Sequence, residues 1–454
     1  MKSELKYFIL VLIHIGIGFL IFLFNPLSKV YFISILIYFL YRIIMAKPSA
    51  KTYDILLGCA YFTGTEVLFR MTKGGLSYEA SKYLVILFMS MGIFYKGISG
   101  KGYPYFIYLI LLVPAIIVAS VTLTLDAKFR TNIAFVLSGP VCLGIATLFC
   151  YDRIVKHKNL LEVLLYITLP TITMTTYLFL YNPTIKDTLS GTASNNATSG
   201  GFGPNQVSTA LGLGIFAIVV RLFMKSPTLF LKVLNMLILG AMTFRALVTF
   251  SRGGVFAAII VIIAFLWSYY YRSSFKQKSQ ILTSIFLLSI AIVITWTISS
   301  NQTRGLLDKR YSNQDAQGRV KQDISTGRLD LFMEEMEGFV RNPFLGIGAS
   351  RIKNQRVESS GRHLPSHNEV GRLLSEHGFL GLVILLILII KPLAYRTTNK
   401  KNYFFYAFLA FWFATINHSG MRIAAPSFLY ALALLNVTYE KNPIHRKQIK
   451  AQEQ

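Results

Sequence analysis

Charge is scarce in this 454-residue chain. Only 15% of its residues are Asp, Glu, Lys or Arg, against about 25% in soluble globular domains, while hydrophobic residues make up 54%. That shortage excludes a soluble enzyme, a nucleic-acid-binding domain and a secreted scaffold as readings of the whole chain. Cysteine is scarcer still. Cys59, Cys142 and Cys150 all sit inside apolar runs. Their spacings match no metal site and their number is odd, so they read as small core residues. Acidic residues number 20 against 46 basic ones, and no acidic cluster has metal-ligand spacing. No small-residue cleavage site follows the first apolar run, Tyr7 to Phe24. That run is long enough to span a bilayer and reads as a first transmembrane helix, not as a removable signal. No internal repeat stands out.

Long apolar runs are what the chain has in abundance. A hydrocarbon core about 30 Å thick needs about 20 helical residues. Runs of that kind lie near 7–24, 28–45, 53–71, 80–97, 104–121, 132–150, 160–181, 207–224, 227–246, 253–271 and 281–300, and again near 378–395, 402–418 and 424–438. The expected fold class is therefore all-α: a polytopic membrane protein of about 12–14 transmembrane helices. Four segments follow from this reading: transmembrane helices over 1–300, one large polar loop over 301–377, C-terminal transmembrane helices over 378–438, and a basic tail over 439–454.

Orientation follows from the Lys/Arg bias. With the N-terminus in the cytoplasm, the cytoplasmic connections collect clusters such as Arg42, Lys47 and Lys51, or Lys391, Arg396, Lys400 and Lys401. The short connections on the other side are poorer in Lys and Arg. Both termini are then cytoplasmic, and topology accounts for most of the +26 net charge with no nucleic acid as partner. The 182–206 and 301–377 loops lie outside the cytoplasm. Ser, Thr, Asn and Gly dominate Ser190 to Gly203, which reads as flexible.

A long loop in a compact protein is more often functional than decorative. From Thr326 the chain reads TGRLDLFMEEMEGFVRN, with Leu329, Phe332, Met336, Phe339 and Val340 at helical spacing. This predicts an amphipathic helix, on the membrane surface or capping the bundle, that stops at Asn342-Pro343. Further on, Ser366 and Glu369 have capping-box spacing, with Val370, Leu373 and Leu374 as the apolar face of the next helix. His367 would then occupy the first helical position. The positive end of the helix dipole disfavours imidazolium there, and a neutral imidazole suits a general base. The plainer reading is a polar residue at a helix start.

Three further positions stand out. Arg252 lies in Ser251-Arg252-Gly253-Gly254, at the outer start of a run. It reads either as a snorkelling anchor or as a bidentate phosphate ligand, and the two glycines argue for close approach of backbone to a ligand or helix. Arg328 is a solvated helix charge or a second anion ligand. Asn205 is a helix cap or part of the same group. Taken together, Asn205, Arg252, Arg328 and His367 come from four stretches that the topology brings to one face. A base beside arginines implies an anionic ligand and an activated hydroxyl, with no metal or other cofactor. Glu66 and Arg70, four apart, are expected to pair. Lys232 and Arg245 are buried charges whose partners the sequence does not name. His418 and Arg422 flank the last outer loop and are candidates to join the site.

His367-Asn368, nine residues, then Gly378-Phe379-Leu380-Gly381 resembles the H-[NSQ]-x9-G-x-x-G pattern of bacterial O-antigen ligases and the related O-antigen polymerases. The Ser251–Gly254, Thr326-Gly327-Arg328 and Gly203-Pro204-Asn205 elements resemble the other landmarks of that superfamily, in the same order, so the likeness covers roughly 200–385. The resemblance implies a membrane glycosyltransferase of the GT-C type. It would sit in the inner membrane with a periplasmic active site and move a glycan from undecaprenyl pyrophosphate to an acceptor hydroxyl, with inversion. The ligase acceptor is lipid A–core, the polymerase acceptor another lipid-linked repeat unit, and a third branch uses protein Ser or Thr. The roles implied are His367 as base and Arg252 and Arg328 as pyrophosphate ligands, supported by Asn205, Ser251, Asn368 and Arg422. The ligase reading is the closest on motif. The alternative from another class, a transporter or flippase of lipid-linked saccharides, calls for repeated halves and midplane polar groups, and neither is evident.

Overall fold

A computed structural model describes residues 2–439 apart from positions 125, 126, 183, 190, 324, 326, 362, 363 and 365. In chain order the helices are α1 (Lys2–Leu23), α2 (Leu27–Met45), α3 (Lys51–Met71), α4 (Ala80–Lys96), α5 (Tyr103–Leu111), α6 (Val113–Thr122), α7 (Phe129–Cys150), α8 (His157–Tyr181), α9 (Ile185–Thr188), α10 (Pro204–Met224), α11 (Leu229–Leu247), α12 (Arg252–Tyr271), α13 (Phe275–Gln302), α14 (Leu306–Tyr311), α15 (Arg328–Arg341), α16 (Arg351–Ser360), α17 (Glu369–His377), α18 (Phe379–Thr398), α19 (Phe405–Ile416) and α20 (Ala424–Ala433). The protein is an all-α polytopic membrane protein. Every apolar run forms a helix. The fifth is split into α5 and α6, where Pro114 has no N–H to continue the ladder. Among the described residues, ten helical stretches are long and apolar enough to cross a bilayer, with α5 and α6 counted as one. Of the other runs, α3 carries buried charge, α4 has 17 residues, and α19 and α20 have 12 and 10.

The run at 424–438 departs from expectation. Its helix ends at Ala433, and β2 (Asn436–Thr438) pairs in parallel with β1 (Ile154–Lys156), Val437 opposite Val155. Two causes act together. Val437 and Thr438 are β-branched and favour strand, and Asn436 Nδ2 donates to Asp152 Oδ1 at 3.0 Å, holding the chain beside β1.

The core centres on α3 and α10. Residues Ile55–Arg70 are buried without a break, and so are Gln206–Val220. Helices apolar all round belong inside. The expected Glu66–Arg70 pair forms, at 2.5 Å, within a larger network. Arg70 also reaches Glu79 at 3.0 Å and Gln206 Oε1 at 2.9 Å, and Lys82 pairs with Glu79. Glu66 Oε2 accepts the Ala424 N–H at 2.6 Å, which satisfies an open amide at the start of α20. At the other extreme stands α13, where only Ile281, Leu288 and Ser299 are buried.

One loop expectation is qualified. Parts of Gly191–Gly203, expected to be loose, are held by hydrogen bonds to other segments. Buried Arg245 donates to the carbonyls of Asn182 at 3.3 Å and Thr198 at 2.9 Å, and Thr192 Oγ1 donates to the Gln314 carbonyl at 2.9 Å. These clamps come from other segments, so local composition does not reveal them. Helix α15 stops before Asn342-Pro343 as expected. Its apolar stripe is not a buried core face, which fits the expected amphipathic helix. Phe332, Met336 and Phe339 are half-buried, Leu329, Met333 and Val340 are exposed, and the buried residue is Glu335, drawn inward by Arg356 of α16 at 3.2 Å. The exposed stripe suits a membrane surface. Ser190, Thr326 and the basic tail beyond Tyr439 lie outside the described residues.

Candidate active site

The start of α12 is set by a turn in which buried Phe250 takes φ +59°. A bulky residue in the left-handed region is strained and persists only when its surroundings hold it. Arg310 does so, its Nε donating to the Phe250 carbonyl at 3.0 Å. Ser251 follows. Its Oγ donates to Asn205 Oδ1 at 2.7 Å and accepts from Ser208 Oγ at 3.0 Å. Asn205 is therefore not a plain cap. Gly203 holds the cap position of α10, and the Asn205 side chain ties α10 to α12. The glycines after Arg252 allow close packing. Gly254 backs onto Ser208 and Thr209 of α10 and Gly253 onto the His418 imidazole, and a Cβ at either would collide.

Arg328 opens α15 within the 301–377 segment, and its guanidinium lies within electrostatic reach of Arg252. Burial and the Arg252 cation hold its guanidinium below the usual arginine value. Arg310 is pushed down to about 10 by burial, then by Arg252 and Arg328. Three guanidinium groups from three stretches thus crowd one another.

The helix after His367 begins differently from expectation. Asn368, not Ser366, is the cap, its Oδ1 accepting from Val370 N at 2.8 Å and Gly371 N at 3.2 Å. Ser366 Oγ instead donates to the Asn368 carbonyl at 2.8 Å. The capping box does not form because Glu369 is drawn to Arg372, which also binds Glu376 at 2.7 Å. This buried triad fills the helix face where Val370, Leu373 and Leu374 were expected to lead; of those three, Leu373 is buried. His367 therefore precedes α17 by two positions, and the helix dipole is not what lowers its basicity. Burial comes first, followed by the Arg422, Arg328 and His418 charges, and together they push the imidazole down to about 3. It is neutral at pH 7. One ring nitrogen bonds the His418 carbonyl, and Nδ1 has no partner in the structure.

Arg422 holds this segment from the α19–α20 turn, its Nη2 donating to the Ser366 carbonyl at 2.6 Å. Behind it, Gly378 takes φ +60° at the α17–α18 junction, backed directly onto the Pro343 carbonyl. The Phe379 N–H donates to that carbonyl at 2.7 Å. The first glycine of the histidine motif thus locks the end of the α15 segment against α17.

All seven residues singled out from the sequence, Asn205, Ser251, Arg252, Arg328, His367, Asn368 and Arg422, meet at this end of the bundle. Sequence reasoning gave no role to Arg310, whose one local signal is its charge in a polar loop. Nor did it find the Glu369–Arg372–Glu376 triad, whose i,i+3 and i,i+4 spacing was visible. An apolar cavity of about 890 Å³ lies between α8, α11 and α13, with Phe244, Leu287 and Ile294 in its walls, Arg245 towards the site and Lys232 at the far end. Among the described residues no group of three or more His, Cys, Asp or Glu is placed to hold a metal ion.

No curated protein matches the chain. Residues 236–386 match the family model described as O-Antigen ligase. The matched span holds Arg252, Arg310, Arg328, His367 and the Gly378–Gly381 turn, and it leaves out Asn205, His418 and Arg422. The match covers 151 of the 454 residues, and over that span the chain is similar to the O-Antigen ligase family.

Proposed function

We propose that the protein transfers a glycan from undecaprenyl pyrophosphate to a saccharide hydroxyl of lipid A–core at the periplasmic face of the bacterial inner membrane. The observation that carries this reading is a neutral imidazole with an unpartnered Nδ1 beside mutually repelling arginines. Arg252 and Arg328 grip the diphosphate as forked, bidentate ligands. Charge that builds on the departing diphosphate is stabilised in place, so no general acid is needed. The acceptor oxygen attacks the anomeric carbon opposite the diphosphate. The new C–O bond forms as the old one breaks, the configuration inverts, and the acceptor proton passes to His367 Nδ1. The His418 carbonyl holds the other ring nitrogen as the N–H, leaving the Nδ1 lone pair available. Binding of an anionic donor offsets the cations that suppress His367, so basicity rises as the donor arrives. The donor's hydrocarbon tail lies in the α11–α13 cavity. Asn205, Ser251, Asn368 and Arg422 position the groups that react.

The test is glycan profiling of a deletion strain complemented with wild type or with His367→Ala. Loss of polymer from lipid A–core, with polymer accumulating on carrier lipid, is the expected result in both the deletion and the variant. A core bearing one repeat unit would assign a polymerase instead, and wild-type glycans with His367→Ala would remove the base.

A further inference from the structure

A second polar chamber lies at the opposite end of the bundle. In α10, Arg221 is 16 residues beyond Asn205, which at about 1.5 Å per residue places it roughly 24 Å from the arginine cluster along the helix axis. There the ends of α1, α2, α3, α8, α10 and α11 enclose a cavity of about 820 Å³. Lys6, Arg42, Arg221 and Lys225 line it together with tyrosines, Glu4 and Glu162.

Arg221 is fixed without an acid. Its guanidinium carbon stands 3.4 Å from the centre of the Tyr7 ring. Tyr7 Oη donates to Asn235 Oδ1 at 2.5 Å, Asn235 Nδ2 to Ser226 Oγ at 2.8 Å, and Ser226 Oγ to the Arg221 carbonyl at 2.9 Å. This chain fixes the Tyr7 ring on which the guanidinium lies, while the buried Arg221 Nε has no hydrogen-bond partner. Two of the nearby carboxylates are engaged elsewhere: Glu162 accepts from Tyr53 Oη, and Asp54 pairs with Arg42 at 2.8 Å. Among the described residues no carboxylate pairs with Arg221 or Lys225. The chamber also meets apolar surface, since Leu10 and Leu231 line it and Ile9, Phe230 and Val233 are exposed on α1 and α11 beside it.

A pre-oriented guanidinium with a lysine beside it suits a phosphate oxygen pair. Basic pockets between transmembrane helices at the cytoplasmic side are typical anionic-lipid sites, and the Lys/Arg bias assigns this end to that side. We propose that this chamber binds the phosphate of an anionic phospholipid of the phosphatidylglycerol class, its acyl chains lying on α1 and α11. The site is separate from the transfer chemistry and does not depend on it. Lipid is favoured over free phosphate by the apolar surface continuous with the chamber.

The test uses the full-length protein in detergent, with bound lipid read by native mass spectrometry. The probes are phosphatidylglycerol, phosphatidylcholine of the same chain length, and glycerol 3-phosphate. Phosphatidylglycerol is expected to be retained preferentially, weakened about fivefold by Lys225→Gln and about twentyfold by Arg221→Gln with Lys225→Gln. Lys225 is exposed, so its variant keeps the test valid if the double variant folds poorly. Equal retention of the two lipids, or undiminished retention by Lys225→Gln, overturns the proposal. Glycerol 3-phosphate binding as tightly as phosphatidylglycerol replaces the lipid with a soluble anion and also overturns it. Lys276→Gln, exposed on the same side, is expected to change nothing. A loss equal to that of Lys225→Gln would make the effect bulk charge and sink the site.

Discussion

Arg422→Gln removes two things at once, and they leave different signatures. The first is the 2.6 Å donation to the Ser366 carbonyl, which holds the chain immediately before His367. A charge-assisted hydrogen bond of this kind contributes about 1.5–3 kcal/mol. If that energy serves to place the imidazole, kcat falls roughly ten- to hundredfold, at about 1.4 kcal/mol per factor of ten. The second is charge. After burial, Arg422 is the leading cause of the low His367 pKa. Removing the cation moves that pKa up towards the ordinary histidine value. A general base works only when unprotonated, so wild-type activity is lost as pH falls towards about 3, and in Arg422→Gln the loss begins at higher pH. Arg422→Lys keeps the charge without the fork and leaves the acid limb in place while lowering kcat. The assay is transfer by purified enzyme from a lipid-linked donor, across acid to neutral pH, with the acid limb read from kcat/KM for the donor, which reports the free enzyme, and turnover read from kcat. Full turnover with an unshifted acid limb in Arg422→Gln would refute the reasoning.

Other substitutions probe the remaining parts. His367→Ala is expected to abolish transfer while the protein stays inserted and folded, read by activity and thermal melting on the same preparation. Arg252→Lys should be nearly as harmful as Arg252→Ala, because a point charge does not replace a forked donor; full activity with lysine rejects the bidentate clamp. Gly254→Ala forces a methyl group against Ser208 and should destabilise by about 1–3 kcal/mol, so an unchanged melting temperature would place α10 and α12 further apart than described. Glu66→Gln leaves Arg70 and Lys82 short of a buried anion and should cost about 3–5 kcal/mol, measured by denaturation in detergent.

Sequence and structure agree where the information is local. Long apolar runs become helices because a run of some twenty such residues has few other ways to satisfy its backbone in lipid. Asn342-Pro343 stops α15 because proline cannot continue the ladder. Agreement ends where a distant residue decides. Ser366 and Asn368 are both acceptable caps two positions apart, and the choice falls to Asn368 once Arg372 takes Glu369 away. The Ser190–Gly203 segment looks loose in composition, and Arg245 some fifty residues on holds part of it. Of the candidate site, motif and topology brought out residues that the fold gathers at one end of the bundle. The His367 environment was not legible, because its low basicity comes first from burial and then from Arg422 and Arg328, far away in sequence. Arg310 was invisible for a similar reason: its role depends on the positive φ of Phe250.

The thin attachment of α13 bears on how such a protein is loaded. Its hydrocarbon-facing surface merges with the wall of the α8–α11 side, and little packing must be broken for the two to part. On the function proposed above, a long isoprenoid needs no doorway from water. It wets the seam laterally, as one more chain of the surrounding bilayer, until its headgroup meets a scaffold that stays stiff. Affinity for the tail would be shared among many loose contacts, and a spent carrier drifts away by the route it came.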